Sequence, residues 1–159
     1  NQERKHPYDI QERGKCYRSS QLTIRAWRYF WGKYKFRSAI ILLSAPKIKK
    51  DELSFIDKNR LNLLNIQVFG RCPKDKEIEA FFSFLDNPEN QPALIHCSLG
   101  RDRTGFFSLL YRIERMSWDI ERAWEEMKLF GHRSLPWRWV TDTYFRKWLE
   151  DRYSVKLKD

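Results

Sequence analysis

The residues best equipped for chemistry lie together in His96-Cys97-Ser98-Leu99-Gly100-Arg101-Asp102-Arg103-Thr104-Gly105. Cys97 is a nucleophile as its thiolate, the form favoured by a helix N-terminus and a neighbouring guanidinium, and phosphorus is a suitable target. Arg103 can grip two phosphate oxygens with its planar fork and stabilise the charge that spreads over the equatorial oxygens in the transition state. The Thr104 hydroxyl is placed to donate to the sulfur when it departs. Ser98, Leu99, Gly100 and Arg101 supply the loop that would bind the substrate phosphate, with Gly100 allowing close backbone approach. Gly105 would let the following helix lie close to the sheet. A bare Cys-x5-Arg spacing is a weak signal; a preceding His, a Gly three residues on and a trailing Thr-Gly make it specific.

Positioning that loop takes a strand before it and a helix after it. Ala93-Leu94-Ile95-His96 reads as a short buried strand running directly into Cys97, and a helix is expected from Thr104 to about Met116. Upstream, 37–44 and 65–69 read as strands. Helices are expected from Asp51, as the cap, to about Asn62 and from Lys74 to Leu85, with two more over 119–130 and 137–153. Strands separated by helices argue for a mostly parallel sheet covered on both faces. Ligands of such sheets gather at the carboxyl ends of strands, where the Cys97 loop would lie. The 159 residues fit one domain, 1–159, with 1–36 as a basic region packed on it.

The net charge of +10 is unevenly placed. Residues 1–50 hold 13 Lys and Arg against 3 Asp and Glu; of the totals, 31 and 21, this leaves 18 of each for residues 51–159. An anionic partner is therefore expected: a phosphorylated protein, a polyanionic phosphate or an anionic membrane surface. Nucleic acid is not expected, since no recognition motif accompanies the charge. Three irregularly spaced cysteines make neither a disulfide framework nor a zinc site, so no metal or cofactor is expected and a reducing, cytoplasmic setting suits them. With Asn at position 1, a removed leader peptide stays compatible with this reading, and a monomer is expected. The tryptophans recur at helical spacing and read as packing.

The segment resembles the protein tyrosine and dual-specificity phosphatase superfamily, whose signature is His-Cys-x5-Arg-Ser/Thr. Compact bacterial and plant-type dual-specificity members also pair an early Tyr-Arg-Ser, here Tyr17-Arg18-Ser19-Ser20-Gln21, with a late Tyr-Arg-Ile, here Tyr111-Arg112-Ile113. The stretch from Trp118 to Met127 is similar to that group as well, and the likeness covers roughly residues 15–150. It implies a three-layer α/β/α fold and metal-independent phosphomonoester hydrolysis through a phosphocysteine, on phosphoprotein or on phosphoinositide or inositol phosphate. Arg18 becomes either a structural partner of the loop or a substrate contact.

One departure concerns the acid. Familiar members place an Asp roughly 30 residues before the nucleophile; that falls near Ile66–Phe69, where this chain has no carboxylate. Asp75 is the nearest upstream substitute, and equally reads as a helix N-terminal carboxylate. The favoured acid is Asp102, in a Cys-x4-Asp-Arg-Thr arrangement that resembles myotubularin-type lipid phosphatases. A carboxyl group facing a bound phosphate tends to keep its proton. His96 reads as a brace for the loop, and His132, Arg133 and Trp137 as rim or packing residues. Cys16 and Cys72 read as inert, with Cys72 as the only candidate resolving thiol. The rival functions are a phosphatase-like phosphoinositide-binding module with little turnover, which the intact Cys97 and Arg103 disfavour, and a rhodanese-type sulfurtransferase, which lacks the Thr-Gly pattern.

Overall fold

The structure, a computed structural model, describes residues 8–9, 14–68, 72–98, 103–129 and 139–158. The chain runs β1 (Tyr8–Asp9), β2 (Cys16–Ser19), α1 (Ile24–Tyr34), β3 (Ser38–Ile41), α2 (Lys50–Lys58), β4 (Asn62–Asn65), α3 (Asp75–Asp86), β5 (Ala93–His96), α4 (Arg103–Met116), α5 (Ile120–Leu129) and α6 (Trp139–Tyr153). Short 3-10 turns at Ala45–Lys47 and Pro88–Asn90 precede α2 and β5. The strands form one sheet in the order β1-β2-β5-β3-β4, with β1 antiparallel at the edge and the other four parallel.

Alternation along the central strands sorts the molecule into layers. Ala39, Ile41 and Leu94 face a cluster with Trp27 and Phe30 of α1 and Phe55 and Ile56 of α2. Ile40, Leu42 and Ile95 face the other way, into a cluster built from α3, α4, α5 and α6. With side chains projecting alternately to opposite faces and both faces covered, β3 and β5 read as continuous apolar runs. This is the expected three-layer α/β/α fold with a mostly parallel sheet. Trp27, Trp124 and Trp148 all pack in these clusters.

The basic first third supplies parts of that framework. β2 pairs with β5, and α1 buries Trp27 and Phe30 while Arg25, Arg28 and Lys33 face solvent. The Thr23 hydroxyl caps α1 by accepting from Ala26 N–H at 3.2 Å. The bounds of β3, α2 and β4 differ from the sequence reading. β3 is confined to Ser38–Ile41, and α2 is capped by Lys49, with Asp51 inside its first turn, and ends at Lys58. β4 occupies Asn62–Asn65. Ile66 and Val68 are buried as the expected strand would require, but they lie where the chain leaves the ladder; Asn65 secures that exit by donating to the Ile41 and Leu43 carbonyls.

Candidate active site

The central position of β5 determines where Cys97 sits. His96 lies level with Ser19 of β2 and Ile41 of β3, so the chain leaves the sheet between two neighbours. Both hold it: Leu42 N–H donates to the His96 carbonyl at 2.9 Å and Gln21 N–H to the Ser98 carbonyl at 3.1 Å. Cys97 is 3 % exposed, whereas Ser98 faces solvent. Leu99, Gly100, Arg101 and Asp102 lie outside the described residues, as do His132, Arg133 and Trp137 of the rim.

The chain returns as α4, a helix buried from Thr104 to Tyr111. Its first residue, Arg103, reaches across to β3 and donates Nη1–H to the Leu42 carbonyl at 3.1 Å. This anchors the guanidinium at the carboxyl edge of the sheet, beside the exit of β5. Thr104 is fully buried, and its Oγ1 has no hydrogen-bond partner among the described residues. An unpaired buried hydroxyl costs about 1–3 kcal/mol. A Cβ on Gly105 would meet Met127 Cγ at 3.3 Å and Arg18 Nη2 at 3.4 Å, so glycine sets how closely α4 approaches α5 and β2.

Arg18 is a cation within the fold. It is 2 % exposed, and burial lowers its pKa to about 10 against the attraction of the Glu126 carboxylate and of Cys97. It therefore stays charged at neutral pH, under the first turn of α4. Glu126 is shared with Arg112, whose Nε donates to it at 3.0 Å.

His96 projects to the α1–α2 side, opposite to Cys97. Its Nδ1 is 3.0 Å from the Cys97 carbonyl oxygen and its Nε2 is 2.8 Å from Glu52 Oε2. Glu52 also accepts from Trp27 Nε1–H at 2.6 Å. Neither Glu52 nor Trp27 is among the residues picked out from sequence. The available signal was the spacing of Glu52, Phe55 and Ile56, which sets a carboxylate on the buried face of α2.

Asp75 is placed elsewhere. Its side chain is 88 % exposed and lies 3.5 Å from Arg152 of α6, which also reaches Glu114 in the last turns of α4. Glu114 lies eleven positions after Arg103, about 16 Å along the helix axis. Cys16, Cys72 and Cys97 are all buried and none forms a disulfide. Burial pushes the Cys72 thiol up to about 12, which makes it a poor resolving thiol. No cluster of metal-binding side chains occurs among the described residues, and no helix among them is long and apolar enough to cross a membrane.

Comparison with known proteins agrees with this geometry. A model of the tyrosine phosphatase family matches residues 10–152. The dual specificity protein phosphatase TpbA of Pseudomonas aeruginosa is 32 % identical over 85 residues, covering 53 % of this chain and 39 % of its own. The inositol diphosphatase DSP3 of Arabidopsis thaliana is 29 % identical over 107 residues, 63 % of this chain and 50 % of its own. The matched part of this chain thus spans half or less of these curated relatives. Among solved structures, the crystal structure of P. aeruginosa TpbA has a TM-score of 0.70 at 23 % identity, covering 89 % of this chain and 83 % of that one. The core catalytic domain of the Saccharomyces cerevisiae phosphatase SIW14, in complex with citrate, has a TM-score of 0.69 at 20 % identity, covering 98 % and 99 %. These two likenesses establish the fold.

Proposed function

The chain belongs to the tyrosine phosphatase family, and on that premise we propose that it hydrolyses phosphomonoesters through a phosphocysteine intermediate. Cys97 Sγ attacks phosphorus and the bond to the ester oxygen breaks, with the Asp102 carboxyl giving its proton to that oxygen. Water then attacks the phosphocysteine, returns a proton to Asp102, and inorganic phosphate leaves as the P–S bond breaks. Thr104 donates to the departing thiolate, while Arg103 and the loop amides hold the phosphoryl oxygens in both steps. The observation that carries this reading is the buried Cys97 between the end of the central strand and a buried helix whose second residue offers a hydroxyl unpaired among the described residues.

The substrate class we favour is a polyanionic phosphate of the inositol phosphate type. Lys47, Lys49 and Lys50 are exposed on the segment that continues from Leu42, whose carbonyl anchors Arg103. Arg25 and Arg28 are exposed on α1, which follows the Gln21 contact to Ser98. These five cations thus lie on the stretches that follow β2 and β3, the two neighbours of β5, where they would hold phosphates beyond the reacting one. A phosphotyrosine peptide needs only one such site. The same cations would meet an anionic membrane, and the proposed chemistry requires one copy of the chain. Turnover separates this reading from a binding module: kcat/KM should be higher for an inositol pyrophosphate than for a phosphotyrosine peptide. Replacing Lys47, Lys49 and Lys50 by Gln should lower only the first value. Equal losses on both substrates would remove the substrate assignment, and absence of turnover on either would favour the binding module.

A further inference from the structure

Behind the nucleophile lies a buried chain of polar groups that the reaction steps above do not use. Glu52, 1 % exposed, presents Oε2 to Trp27 Nε1–H at 2.6 Å and to His96 Nε2 at 2.8 Å, while its Oε1 has no hydrogen-bond partner among the described residues. His96, fully buried, faces the Cys97 carbonyl oxygen with Nδ1 at 3.0 Å. Donor and acceptor rules restrict the protons. A carbonyl only accepts and an indole N–H only donates, so the contact at Cys97 is a hydrogen bond only when Nδ1 carries a proton. Nε2 must then either donate to the Glu52 carboxylate or accept from its carboxyl form. In both arrangements one proton is confined between Glu52 and His96.

We propose that Glu52 is a positioning residue whose task is to keep His96 protonated on Nδ1, so that the ring holds the Cys97 peptide and the nucleophile's loop in register. Its catalytic consequence rests on the phosphocysteine reading; its proton arrangement does not. Without the Glu52 proton, neutral His96 can place its single proton on Nε2 and turn the Nδ1 lone pair toward the Cys97 oxygen. The two would repel, and the peptide carrying the sulfur would shift. Trp27 gives the arrangement a specific consequence. Because its indole can only donate, it requires an oxygen at the Oε2 position. In Glu52→Gln the amide must therefore keep its oxygen there and accept from His96 Nε2–H, which enforces the wrong tautomer. Removing the indole N–H frees the amide to turn over, present its NH2 to Nε2 and restore the proton on Nδ1.

The test uses nitrogen NMR of the imidazole in a protein with His6 and His132 replaced by Gln, so that only His96 reports. The parent should show a protonated Nδ1; Glu52→Gln should show a lone pair there, and Trp27→Phe with Glu52→Gln a protonated Nδ1 again. On an aryl phosphate, Glu52→Gln should lower kcat roughly 10–10²-fold, the usual effect of losing an orienting partner, with KM nearly unchanged. The double variant should recover most of that loss. A lone pair on Nδ1 in the parent would overturn the proposal, as would a double variant no faster than Glu52→Gln. A protonated Nδ1 in a protein without phosphatase turnover would uphold the proton arrangement and refute the catalytic reading.

Discussion

Cys97→Ser keeps the loop and its anion contacts but replaces a thiolate by a hydroxyl that is a weak nucleophile at its free pKa. Turnover should vanish while binding of a phosphate ester persists. Arg103→Lys should lose both rate and affinity, since a point charge cannot reproduce the two-pronged contact and would also release the Leu42 carbonyl. For the proton donor, Asp102→Asn should lower kcat/KM, which reports the first step, by roughly 10²–10⁴-fold for inositol or alkyl phosphates and far less for an aryl ester, because general acid catalysis scales with leaving-group basicity. Asp75→Asn, at the exposed ion pair with Arg152, should leave both near wild type. The same scaling found for Asp75 instead would move the acid to the upstream segment. Cys72 offers a separate check. Burial pushes its thiol up to about 12, above the ordinary value, so the folded state retains a proton that the unfolded chain releases. Stability should therefore fall as pH rises from about 9 toward 12, and Cys72→Ala should make that slope shallower in thermal melts.

At the scale of elements, the unit of function is β5, the loop and α4. It was legible because a buried strand runs into a motif whose every residue has a chemical reason, so pattern and chemistry agree. β2 and α1 were obscured by charge: Arg25, Arg28 and Lys33 dominate the composition while Trp27 and Phe30 carry the fold. β4 was displaced because burial and ladder pairing part company there, with Ile66 and Val68 buried just beyond the residues that pair with β3. The Glu52–His96 contact was illegible because 44 positions separate its partners. Gly105 shows how tightly the helix is set. Gly105→Ala gains up to about 1 kcal/mol of helix propensity, and the flexible Met127 side chain can yield to the added methyl. Arg18, bound within the fold, yields less. The expected outcome is a nearly unchanged melting temperature with a severalfold lower kcat, measured on purified wild type and variant; unchanged kcat would show that the α4 contact does not set the loop.

At the scale of the whole molecule, exposed cations of the first third, Arg25 and Arg28 on α1 and Lys47, Lys49 and Lys50 on the segment entering α2, lie on the two stretches that follow β2 and β3, the neighbours of β5 and Cys97. Such a field should attract polyanions over distances that salt can screen. Raising ionic strength toward ~1 M shortens the screening length from about 10 Å to about 3 Å. kcat/KM for an inositol pyrophosphate should then fall steeply, and that for a singly phosphorylated aryl ester only slightly. Parallel slopes for the two would mean that the basic side does not select the substrate.

The central claim is that phosphate passes through Cys97. Rapid acid quench of the protein turning over an aryl phosphate, followed by mass spectrometry of its peptides, tests this most directly. One added phosphoryl group should appear on the peptide containing Cys97, accumulate further in Asp102→Asn with an aryl ester whose first step needs no acid, and be absent from Cys97→Ser. Rapid turnover with the phosphoryl group on another residue, or full activity retained by Cys97→Ser, would contradict it.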